Sequence, residues 1–144
     1  MYDESNRVVQ LCVEGMQHEG FARNDHAKSC FERAWSEAQN DFKKSTAAHY
    51  LARHQPDASQ KLKWDLIALQ HAIQSDKTDV KNTFASLYLN VAKGYEDLND
   101  HREALMYYQP ALTHAGHLTP DPYAQMITQG IKNGLQRMKN HFLS

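Results

Sequence analysis

The chain has 144 residues, enough to bury a core without help from disulfides or metal. Its 16 Lys and Arg are balanced by 17 Asp and Glu, which excludes the basic footprint of a nucleic-acid binder. Apolar residues make up 41% of the chain but fall in short runs, so neither a bilayer span nor a membrane partner is expected.

The opening stretch, MYDESNRVVQ, carries acids where a secretory leader has a basic and then an apolar segment, and it reads as no export address. Cys12 and Cys30 have no metal-ligand spacing and read as free thiols in a reducing compartment. A cytoplasmic location is the resulting expectation.

Apolar residues recur at intervals of three and four, beginning with Val9, Cys12, Val13 and Met16, and β-branched runs of strand length are missing, so the fold class is all-α. Breaks are expected at 20–25, 37–41, 53–59, 74–79, 97–101 and 116–122. In these stretches Asp, Ser and Thr can cap a new helix, while Pro56, Pro120 and Pro122 cannot continue an old one. About seven helices follow. Their short connections fold them as antiparallel hairpins at about 5–38, 41–75 and 80–115, with a last helix at about 120–141.

In chain order, the first hairpin carries Gly15 on its first helix and Ala27, Phe31 and Ala34 on its second. Offsets of four and three place this small–large–small set on one helix face, where small residues admit a neighbouring backbone and the aromatic ring fills the space above. The middle hairpin offers Ala48 and Leu51, then Leu69 and Ala72, with Asp65 where a small residue is expected. The third repeats the set as Ala92, then Ala104, Tyr108 and Ala111. Pro110 lies inside that last helix and predicts a kink against the carbonyl of Met106. The final segment spaces Tyr123, Met126, Ile127, Ile131, Leu135 and Met138 as one helical stripe and reads as a cap over the third hairpin.

These residues resemble the tetratricopeptide repeat, a helix–turn–helix unit with a period of about 34 residues. Tyr88 stands at the family's Trp, Val91-Ala92 at its Leu-Gly and Tyr95 at its Tyr, followed by Ala104, Tyr108 and Ala111. Residues 11–35 follow the same frame with Leu11, Glu14-Gly15, His18, Ala27, Phe31 and Ala34, where Glu14 and His18 depart from the family's Leu and Tyr. Aligning Ala34, Ala72 and Ala111 gives steps of 72 − 34 = 38 and 111 − 72 = 39 residues. Each step therefore holds about one extra helical turn. One surplus falls at the start of the helix holding QKLKWDLIAL and the other before FASLYLN.

The resemblance implies a single domain over residues 1–144, a right-handed superhelical stack of three hairpins and a capping helix. It also implies a concave groove lined by first-helix residues: Cys12, Met16 and Glu19, then Ser45, His49 and Arg53, then Leu89, Lys93 and Glu96. Such a groove holds a peptide or helix of a partner protein, with Met16 and Leu89 taking an apolar side chain, Arg53 and Lys93 a carboxylate, and Glu19 and Glu96 a base. Family members that clamp an acidic chaperone tail use Lys and Asn at inner positions where this chain has Cys12 and Met16, which disfavours that partner.

An enzymatic reading finds little support. His114 and His117, with His49 and His54, raise the question of a metal site. Yet His18 and His101 fall at aromatic packing positions, His26 and His71 on second helices, and His114 and His117 flank Gly116 at a helix end. There is no His-Glu-x-x-His and no Gly-rich turn after a strand, and Trp35 and Trp64 read as packing. The expectation is a non-enzymatic interaction module with no catalytic residues, no metal and no cofactor. A homodimer, formed through exposed helices or exchange of the capping helix, and a small-ligand-binding protein or enzyme stay open as alternatives.

Overall fold

The computed structural model describes residues 6–76 and 78–144, which are helical with short connections and contain no strand. Seven α-helices form: α1 Arg7–Gly20, α2 Asn24–Glu37, α3 Asp41–Ala52, α4 Ala58–Gln74, α5 Phe84–Asp97, α6 His101–Ala115 and α7 Pro122–Leu143. No helix among the described residues is long and apolar enough to cross a membrane. Every expected break is observed, and short polar side chains start most helices. Asn6 accepts from the Val8 and Val9 amides, Asn40 from Lys43, Asp57 from Gln60, Asp100 from Glu103 and Asp121 from Ala124. Each cap satisfies amides that the first helical turn leaves without partners.

The surplus turns also lie where expected. Helix α4 runs for 17 residues against 14 for α2, and its start at Ala58 comes four residues ahead of position 24 + 38 = 62. A 3₁₀ segment, Thr78–Thr83, leads into Phe84. The backbone is not broken at Pro110, since α6 continues through it to Ala115.

The chain divides into two compact units, residues 1–76 and 77–144. Each unit closes a core of its own. In the first, Leu11, Ala27, Phe31, Ala34, Ala47 and Leu51 are buried together, with Trp35, Tyr50 and Trp64 packed around them. In the second, Ala92, Ala104, Tyr108 and Met138 form one cluster, and Ala85, Ala111, Ala115, Ile127 and Ile131 form another.

The two units begin from the same local design. Helices α1 and α5 share both bounds at one offset, 84 − 7 = 97 − 20 = 77, and α2 and α6 start at that offset as well, 101 − 24 = 77. Ala22 (φ 58°) and Asn99 (φ 63°), again 77 apart, both turn the chain through the left-handed region between the helices. Phe31 and Tyr108 occupy equivalent places and are fully buried. A Cβ on Gly15 would lie 2.4 Å from the Phe31 ring, so the first hairpin closes only over a residue without a side chain.

The helix after each of these two hairpins is placed equivalently too. Helix α3 packs on α2 and less extensively on α1, and α7 packs on α6 and less extensively on α5. Within its unit, α7 thus takes the place that the next repeat's first helix would take. Its buried stripe is narrow, Ala124, Ile127, Ile131, Gly134 and Met138, and Tyr123 and Met126, expected in that stripe, are exposed instead.

Candidate protein-binding face

The nine residues expected to line a groove have unequal fates. In the first unit, Cys12 is not a surface residue. It is 4% exposed and belongs to the core, because α1 buries Val8, Leu11, Cys12 and Gly15 at spacings of three and four. Burial pushes its thiol up to about 11, far from the range of a reactive cysteine. Ser45 is likewise buried, and its Oγ donates to the Ala68 carbonyl at 2.8 Å, tying α3 to α4 instead of meeting a partner.

Glu19 and Arg53 are brought together. The Arg53 guanidinium donates to Glu19 Oε1 at 2.9 Å, and His54 Nε2 lies 2.7 Å from Glu19 Oε2. Arg53 also lies over the Tyr50 ring at 4.6 Å. Met16, one turn before Glu19, stays exposed. His49, one turn before Arg53, turns inward against Tyr50, and its Nδ1 is buried without a hydrogen-bond partner in the protein. Burial, then the charges of Arg53 and Lys61, bring its pKa down from 6.5 to about 4 against a smaller opposing effect of Glu19, so the ring is neutral at neutral pH.

In the second unit, α7 takes up two of the three residues. Leu89 packs in both clusters that α7 joins, and its Cδ2 lies 3.5 Å from where a Cβ on Gly130 would stand. Glu96 accepts from Arg137 Nε at 2.6 Å, Arg137 Nη2 at 3.0 Å and the Tyr108 hydroxyl at 2.6 Å. Burial opposes the Glu96 charge, but these donors outweigh it and hold its carboxyl below the ordinary range. Both residues are partly buried and engaged by α7. Lys93 is exposed and paired with Asp97 one turn on. Glu19 and Glu96 are 77 residues apart, and each ties the first helix of its hairpin to an arginine, Arg53 at the C-cap of α3 and Arg137 within α7.

Two features of the first unit escape a pattern-based reading. His49 is half-buried among apolar neighbours, with its Nδ1 closed off from water. Asp65 is 1% exposed at the position of the Ala27 and Ala104 notches, with Lys61 Nζ at 2.7 Å. Burial raises the Asp65 pKa, and the Lys61 hydrogen bond and charge oppose the rise. Because the Lys61 side chain is 41% exposed, it can return to water when its partner is removed. Asp65→Ala should therefore stabilise the chain by about 1 kcal/mol or more, read as a higher midpoint in thermal unfolding followed by circular dichroism. A lower midpoint would show that the buried carboxylate holds the hairpin together.

The histidines act in packing and local pairing. His18 stacks on His26 at 5.3 Å, His101 on His141 at 3.7 Å and His114 on Tyr88 at 5.3 Å, while His71 meets Asp41 at 2.8 Å. Among the described residues, no three His, Cys, Asp or Glu side chains are grouped to hold a metal ion. Comparison with known proteins returns no match to a family model, a curated protein or a solved structure.

Proposed function

We propose that the chain is a non-enzymatic interaction module of tetratricopeptide-like construction that holds a peptide or helix of a partner protein. The observation that carries this reading is the recurrence of one hairpin at a 77-residue offset, in helix bounds, turn conformation and buried knob. Repeated hairpins stacked on a further helix bury their cores and leave first-helix residues for recognition. The binding residues are Met16 and the Arg53–Glu19 pair of the first unit, on α1 and at the C-cap of α3. Met16 supplies an apolar contact. Arg53 supplies a guanidinium already positioned over Tyr50, from which a partner carboxylate displaces Glu19. Two cysteines that are buried and unbonded suit a reducing compartment, and we place the module in the cytoplasm.

The test is an affinity capture from the source cell with wild type and Met16→Glu, read by mass spectrometry. A protein held by wild type and lost from the variant, with unchanged circular dichroism, is expected. An identical set of captured proteins would remove this face from consideration.

A further inference from the structure

The polar face of α7 carries a chemistry different from that of the rest of the chain. Residues 122–144 contain Lys132, Arg137 and Lys139 and no Asp or Glu, whereas residues 1–121 hold 13 basic and 17 acidic residues, a net charge of 13 − 17 = −4. A solvated helix face ordinarily mixes both signs in i,i+4 pairs. Here the outward residues Gln129, Lys132, Asn133, Gln136, Lys139 and Asn140 are all exposed or partly so, and their pairing is amide to amide, Gln129 to Asn133 at 2.8 Å and Gln136 to Asn140 at 2.9 Å. Arg137 is turned aside to Glu96. Lys132 and Lys139 therefore stand along one edge of an amide strip, seven residues or about 10.5 Å apart, with no carboxylate on their own helix to neutralise them.

We propose that this face is a second docking surface, which takes an acidic segment of a partner protein with carboxylates about two helical turns apart. Lysines answer the carboxylates, and the amide strip between them donates and accepts along the partner's polar groups. A long polyanion such as nucleic acid is disfavoured, because beyond α7 it meets a chain of net negative charge. The surface rests on the composition of α7 and not on the α1 and α3 face, so either reading can fail alone.

The experiment is fluorescence anisotropy at low salt with a labelled oligoglutamate peptide and, separately, a labelled oligothymidylate. Oligoglutamate should bind wild type, bind about tenfold more weakly to Lys132→Glu/Lys139→Glu, and lose affinity as salt rises. Arg33→Glu, an exposed change on α2, should bind it like wild type. The proposal is overturned by no binding, by equal binding to the α7 variant, by an equal loss in Arg33→Glu, or by tighter binding of the oligothymidylate. Both substituted lysines are exposed, and circular dichroism confirms that each variant is folded.

Discussion

Gly134→Ala lowers the unfolding free energy by about 1–3 kcal/mol, while Gly130→Ala on the same helix raises it by about 0.5–1 kcal/mol. The opposite signs come from what a methyl group meets. At Gly134 it would lie 2.3 Å from the Tyr108 ring, and at Gly130 its nearest neighbour is Leu89 Cδ2 at 3.5 Å, an ordinary contact. Tyr108 cannot easily withdraw, since it is fully buried and its hydroxyl is held by Glu96 and Arg137. Chemical denaturation of the two variants checks this directly. Two shifts of the same sign would mean that α7 does not seat on Tyr108 as described. The larger consequence is for α7 itself, because the Gly134 notch, Met138 and the Arg137 clamp all dock against the same ring and its neighbours.

The second large effect is acid lability of the first unit through His49. Its pKa is depressed from 6.5 to about 4 in the folded chain, so below pH 6.5 the unfolded chain binds a proton that the folded one refuses. The stability tied to the neutral ring is complete above pH 6.5 and is lost as pH falls from 6.5 to about 4, in total about 3 kcal/mol at most. Trp35 and Trp64 both lie in the first unit, so tryptophan fluorescence reports its unfolding. Denaturant midpoints should fall across this window in wild type and fall much less in His49→Phe. Parallel pH profiles for the two proteins would contradict the burial of the ring.

Much of the fold is legible in the sequence because the signals involved are local. Asp57, Asp100 and Asp121 start helices by capping them, and the alternation of Ala27, Phe31 and Ala34 with its copy at Ala104, Tyr108 and Ala111 marks the buried face whatever the partner. The site is less legible, since helical spacing shows that a residue lies on a face without showing what covers that face. Cys12 is as apolar as a groove residue needs to be, yet it continues the stripe of Val8 and Leu11 into the core. Ser45 looks solvated until α4 brings the Ala68 carbonyl to it. Leu89 and Glu96 look open in the sequence because reading a cap over the third hairpin does not show which first-helix residues it covers. Gly130 lets α7 approach Leu89 of α5, as Gly134 lets it seat on Tyr108 of α6, and two glycines four apart on an apolar stripe are the available signal. The division into two units has no counterpart in composition, because the 75–83 connection is neither long nor rich in glycine or proline.

The claim at the centre of this account is that recognition occurs through first-helix residues of repeated hairpins. It is tested most directly by amide chemical-shift mapping with a partner recovered by affinity capture. The account predicts perturbations concentrated at residues 16–19 of α1 and at 49–54, from the end of α3 into the turn after it, with Met16→Glu abolishing the response. Perturbations centred on α2 and α4, with the Met16 region silent, would contradict it.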